Sequence, residues 1–175
     1  MPDPVTEFEL YRQELLDALG EDDPVGVLRA TLAELDQLLA SAPDAALNHS
    51  PAPGEWAPRD VLSHLADSDL VTGMRVRMIV TQDHPTLIGY DQEAWTSRFG
   101  GLDPSAADTI ARWRTLRQAN LRIYESLTPE EQVATAVYFD EQVLNTTAVI
   151  RHALHDAEHH LLDVRRGIAR QQLRA

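Results

Sequence analysis

The 175-residue chain contains no cysteine. That absence excludes disulfides, thiolate-bound zinc and a sulfur nucleophile carried by the chain itself. A metal ion would have to sit on histidine and carboxylate, and any thiol chemistry would have to use a thiol from outside. It also accords with a cytoplasmic protein. Lysine is missing too: all 15 basic residues are arginine, and nothing in the sequence gives a physical reason for it. Those 15 face 28 acids, for a net charge of −13, which argues against nucleic-acid binding that depends on basic side chains releasing phosphate counterions. No segment approaches ~18 uninterrupted apolar residues, so no membrane span is expected. The first residues, MPDPVTEFELYRQ, carry acids where a signal peptide would carry positive charge, so a cytoplasmic location is expected.

What the chain does have is an ordinary globular composition, 43% apolar and 25% charged, and a length that suits one domain over residues 1–175. Helical periodicity organises it. A short amphipathic stretch over 7–19 ends at Gly20. Asp22, Asp23 and Pro24 then read as the cap and first turn of a helix reaching about Ala42, with Val27, Leu28, Leu32, Leu35, Leu38 and Leu39 at helical spacing. Residues 43–54 are turn-rich. A strong helical pattern runs over 58–80. Residues 82–101, with His84-Pro85, Gly89, Gly100 and Gly101, read as a long irregular connection. Asp103-Pro104 opens a third long helix to about Leu127, and Thr128-Pro129 stops it or caps a short turn. Residues 134–147 read as a small hairpin or an extended loop around Asp140-Glu141, before a last helix runs to the C-terminus. The fold class is all-α: a four-helix bundle with an extra N-terminal helix and long crossover connections.

The last helix carries four of the seven histidines within RHALHDAEHHLLDVRR, residues 151–166. At about 100° per residue, His152, His155 and His159 share an arc of about 60°, whereas His160 points away from it. The i,i+4 pair His155 and His159 stacks two imidazoles on adjacent turns, a spacing that suits one divalent ion. His64, in DVLSHLADSD, is the other histidine inside a strong helix and adds a third nitrogen. Three protein ligands with open positions define a catalytic ion, where a structural one is closed by four. On spacing alone this reading stands level with a solvated histidine face. His152 and Asp163 lie on the face of His159 and compete for the ligand role, although Asp163 could instead hold an imidazole by its second nitrogen, as Asp67 could for His64.

The segments GEWAPRDVLSHLADSD (54–69), DHPTLIGYDQEAW (83–95) and HDAEHHLLDVRR (155–166) occur in an order that resembles the DinB/YfiT superfamily from about Pro24 onward. The resemblance implies a four-helix bundle whose metal site takes one histidine from the second bundle helix and an H-x-x-x-H pair from the last, here His64, His155 and His159. His152 and His160 crowd that pair and are its alternates. It implies nickel or zinc, with manganese or iron as further candidates, and a homodimer. It also implies a mixed set of activities: thiol-dependent S-transferases, proposed metal-dependent hydrolases and members without known activity.

Two chemistries, and a third reading without catalysis, follow. A divalent ion could hold an external low-molecular-weight thiol as a thiolate that attacks an electrophilic carbon; the cysteine-free chain is consistent with this transferase reading, which is taken first. It could instead activate water for hydrolysis, although Asp156, Ala157 and Glu158 stand where a metalloprotease motif would supply its glutamate base. The third reading is a dimeric metal-binding or stress-response scaffold. For a small-molecule substrate, Tyr90, Asp91 and Trp95 offer a wall with aromatic area and a polar handle, while Trp56 and Trp113 read as core. Arg75 and Arg77 are placed to meet an anion or to pair with surface acids.

Overall fold

Asp23 starts the first bundle helix, its carboxylate accepting from the backbone N–H groups of Val25 and Gly26 at 3.1 and 3.0 Å. Pro24 follows at the first helical position, where its missing N–H leaves no bond unmade. The computed structural model describes residues 23–40, 42–138 and 142–172 together with Leu10. Helix α1 spans Pro24–Ala40, and a single turn, α2, spans Asp44–Asn48. Helix α3, Pro58–Thr81, begins with Pro58 and with the Asp60 carboxylate accepting from the Ala57 N–H at 3.2 Å. Helix α5, Ala106–Tyr124, is capped by Ser105, whose hydroxyl accepts from the Asp108 N–H at 3.2 Å. Thr128 and Glu131 form a reciprocal capping box on the short α6, Pro129–Val133. Helix α7, Thr146–Gln172, is the last of the described elements.

The segment expected to be irregular over 82–101 holds two elements. Thr86–Leu87 is a strand, β1, and Gln92–Phe99 is a helix, α4, whose cap is Asp91 accepting from the Ala94 N–H at 2.9 Å. The expected hairpin is present as β2, Thr135–Tyr138, antiparallel to β3, Gln142–Asn145. Strand β1 adds to its other edge in parallel, Thr86 opposite Val137 and Leu87 opposite Tyr138. A two-residue strand has too little periodicity to be read from sequence, and only the partner strand, fifty residues on, defines it. The amphipathic stretch over 7–19 and the Asp140-Glu141 turn lie outside the described residues.

Four long helices form the bundle. Helix α3 packs on α5 and α7, and α1 closes the assembly against the same two, so α1 and α3 stand diagonally opposed. One apolar core joins them: Leu28 and Leu35 from α1, Leu62, Leu65 and Val76 from α3, Trp113 and Leu121 from α5, and Leu154, Leu161 and Val164 from α7. Each fully buried leucine contributes roughly 1.5–3 kcal/mol relative to exposure. Trp113 is fully buried, as expected of a core residue. On the α3–α5 seam the core is polar: Arg117 donates through Nε to both oxygens of Asp69, at 3.0 and 2.8 Å, and its guanidinium lies 5.0 Å from the centre of the Trp113 ring. Among the described residues, no helix is long and apolar enough to cross a membrane.

Candidate metal centre

Helices α3 and α7 run side by side through most of their length, and the histidine-rich part of α7 lies against the first half of α3. His64 is 1% exposed, set among buried Val61, Leu62 and Leu65. Its Nε2 lies 3.4 Å from both carboxylate oxygens of Asp156. Asp156 Oδ1 is in turn 3.5 Å from His160 Nε2. One donor atom from each of His64, Asp156 and His160 falls within 4.8 Å of the others. The His64 and His160 rings meet edge to face, their centroids 4.7 Å apart.

The donor atoms that converge here come from a different pair on α7 than the one the motif order implied. His155 and His159 stack in parallel with centroids 6.1 Å apart. Among the described residues, the two groups of three donor atoms within 4.8 Å are His64, Asp156 and His160, and His159, His160 and Asp163; the expected set of His64, His155 and His159 is not among them. The reason is the placement of the apolar stripe on α7, which runs through Leu154, Ala157, Leu161 and Val164 and faces the bundle. His160 lies about 80° from the middle of that stripe, His155 about 140° and His159 about 180° from it. The spacing read for two histidines is met instead by Asp156 and His160, also four residues apart. Aligning the histidines to the apolar stripe rather than to one another would have found His160.

The carboxylates near the site are also redistributed. Asp163 accepts from His160 Nδ1 at 3.2 Å and is 3.8 Å from His159 Nε2, so the imidazole it orients is chiefly that of His160. Asp67 does not hold His64; it pairs with Arg112 at 3.1 Å, and Arg112 also reaches Asp103 and the Ser63 hydroxyl. Glu158 is exposed and accepts from the Thr31 hydroxyl on α1 at 3.3 Å.

Electrostatics separate the groups. Burial alone would push the Asp156 carboxyl up, but hydrogen bonds and charge from His160 and His64 outweigh it and hold it well below the usual carboxylate range. Burial disfavours charge on His160, yet Asp156 and Asp163 raise its pKa above the ordinary imidazole value. His152 goes the other way: burial, joined by Arg75, His155 and His64, outweighs Asp156 and keeps it neutral at pH 7.

Of the expected substrate wall, Tyr90 and Trp95 pack ring on ring at 4.7 Å, and burial together with the Asp156 and Asp67 carboxylates pushes the Tyr90 phenol up, so it stays protonated. Asp91 is engaged as the α4 cap and is exposed. Trp56, read as core, is half-buried and lies over the site: its ring is 5.3 Å from His64 and stacks on His160 at 6.1 Å. Its Nε1 donates to Glu93 at 3.3 Å. No periodicity marks Trp56, because it precedes α3 in an irregular segment. Beside it opens a cavity of about 330 Å³ lined by Trp56, Val61, Glu55, Glu93 and Asp163. Arg77 bonds the Gly73 carbonyl and the Asn120 side chain rather than facing the site.

Two imidazoles and one ionised carboxylate on facing helices are a donor set for a divalent ion. An observation within the fold supports that fit: the buried His64 ring has no hydrogen-bond partner at Nδ1 and a long 3.4 Å contact with Asp156 at Nε2, so it is less fully bonded than a purely structural histidine. A helical bundle with a mixed histidine and aspartate cluster between its helices is the class of protein these features define.

The chain belongs to the DinB superfamily, whose family model matches residues 28–164. It is 24% identical over 128 residues to a Bacillus subtilis protein named "Putative metal-dependent hydrolase YfiT", covering 73% of this chain and 71% of that one. A Bacillus licheniformis protein bearing the same hydrolase description is 27% identical over 143 residues, 79% of this chain and 76% of its own length. The solved structure of YfiT, described as having an unusual four-helix bundle topology, superposes with a TM-score of 0.73 at 19% identity, over 99% of this chain and 92% of that one.

Proposed function

We propose that the protein is a divalent-metal-dependent enzyme acting on a small molecule, its ion held by His64, Asp156 and His160. The observation that carries this reading is the convergence of one donor atom from each of the three within 4.8 Å. A divalent ion bound there would supply Lewis acidity, lowering the pKa of water or of a thiol brought beside it. Around it the chain's own groups have distinct tasks. Asp163 holds His160 by Nδ1 and so leaves Nε2 directed toward Asp156. His152 is neutral at pH 7. Tyr90, protonated throughout the working range, can donate a hydrogen bond from its phenol. Trp56 covers the two rings and limits water on that side.

The names of the relatives favour hydrolysis, and this is the first reading. Thiol transfer is the second, supported by a chain with no cysteine of its own, so that a sulfur nucleophile would come entirely from the co-substrate. Metal analysis of protein purified without a histidine tag tests the centre: one divalent ion per chain is expected, retained in His155→Ala and His159→Ala and lost in His64→Ala, Asp156→Ala and His160→Ala. The opposite pattern on α7 would overturn the ligand set. Panels of hydrolysable esters and amides, and of thiols with electrophiles, run on the loaded protein, then separate the two chemistries.

A further inference from the structure

Arg75 is 5% exposed, yet among the described residues no carboxylate lies within ion-pair distance of it. Its Nη2 donates to the Ile88 carbonyl at 2.7 Å and to the Tyr138 hydroxyl at 3.2 Å, and its guanidinium sits 4.8 Å from the centre of the Tyr138 ring. All three partners are neutral, and Nε is buried with none. The contrast within the same bundle is Arg117, also buried, which donates to both carboxylate oxygens of Asp69. A cation removed from water is compensated by a counter-charge or it destabilises the fold. Neutral partners position the Arg75 fork without cancelling its charge.

The place of that charge matters. Arg75 lies eleven residues after His64 on α3, three turns along the same face, so their Cα atoms are about 16 Å apart along the axis. An arginine on a helix leans toward the helix N-terminus, which here is toward His64. Arg75 is near enough to act on the ionisation of both Tyr90 and His152, and Asp156 acts on both as well. The Tyr90 phenol and the His152 imidazole thus lie within electrostatic reach of both the Arg75 guanidinium and the Asp156 carboxylate.

We propose that Arg75 is an anion anchor, its guanidinium taking the carboxylate or phosphate end of a small ligand whose reactive part lies toward His64, Asp156 and His160. The substrate class is therefore an anionic metabolite with the reacting group several bonds from its charged end. The placement of the reactive end rests on the metal reading above; the anion site itself does not.

The test uses the full chain, both chelated and zinc-loaded, with succinate and inorganic phosphate as probes against sodium chloride at matched ionic strength. One or both probes should raise the melting temperature saturably, and Arg75→Gln should weaken the apparent affinity at least tenfold, the range of a charge-assisted fork. Which probe protects tells carboxylate from phosphate. A second measurement needs no variant: phenylglyoxal labelling of Arg75 in the wild-type chain, mapped by mass spectrometry, should slow in the presence of the protecting anion, and this decides if Arg75→Gln does not fold. Protection that is absent, or unchanged in Arg75→Gln, or labelling that the anions do not slow, would overturn the anchor. Zinc binding without anion protection removes the anchor and leaves the metal centre; anion protection without zinc binding upholds the anchor and removes the metal centre.

Discussion

Asn120 occupies the space that a β-carbon on residue 73 would fill. From α5 it donates through Nδ2 to the Asp69 carbonyl at 2.6 Å, lying against α3 where Gly73 has no side chain. Glycine within a helix costs about 1 kcal/mol relative to alanine, so its presence in the middle of α3 needs a local reason, and the approach of the Asn120 amide supplies it.

Gly73→Ala should therefore destabilise in spite of alanine's better helix propensity. The added methyl collides with the Asn120 amide, and the expected loss is about 1–3 kcal/mol. Denaturant unfolding checks this, and Gly73→Ala combined with Asn120→Ala should recover part of the loss.

The neighbouring pair of Asp69 and Arg117 gives a second expectation. Burial pushes the Asp69 carboxyl up, against the pull of Arg117 and Asn120. Arg117→Met leaves that carboxylate buried without a cation and should cost about 3–5 kcal/mol at pH 7. With its folded-state pKa raised, the group holds its proton more tightly in the native protein, so the stability of the variant should grow as the pH falls from neutrality. Asp69→Asn with Arg117→Met should be more stable at pH 7 than Arg117→Met alone.

Tyrosine sets the alkaline limit. Burial pushes the phenols of Tyr90 and Tyr124 above their ordinary value of 10.0. A folded-state pKa above the unfolded one means that this contribution is complete below pH 10 and is lost as the pH climbs further, at about 1.4 kcal/mol per pH unit for each phenol. Tyr124→Phe should flatten that slope. It should not weaken the protein at pH 7, because the Tyr124 hydroxyl is buried without a hydrogen-bond partner. Urea melts at pH 7 and between pH 10 and 11 separate the two effects.

Metal removal should lower the melting temperature, because an ion that binds the native state alone stabilises it. At a free concentration 100 times its Kd the contribution is about 2.7 kcal/mol. Calorimetry with and without a chelator should show the difference in the wild-type chain, and Asp156→Ala should abolish it.

The bundle was legible because α1, α3, α5 and α7 repeat apolar residues over 17 or more positions each, long enough for the 3.6-residue period to declare itself. Strand β1 and helix α4 were not, since two residues carry no period and eight carry little. His64 was legible because it interrupts an apolar run on α3. Asp156 was passed over as a residue between two histidines, although its carboxylate lies against both His64 and His160. Trp56 gains its place over the imidazoles from tertiary packing alone.

The carboxylate at position 156 has a consequence for the kind of ion the protein would select. A divalent ion between two imidazoles and one aspartate is left with a net charge of +1, where three imidazoles would leave +2. One hard oxygen donor among the nitrogens widens the acceptable ions toward manganese and iron(II) and weakens the electrophilic pull on whatever occupies the open positions. Asp156→His would exchange that breadth for the stricter preferences of an all-nitrogen cage.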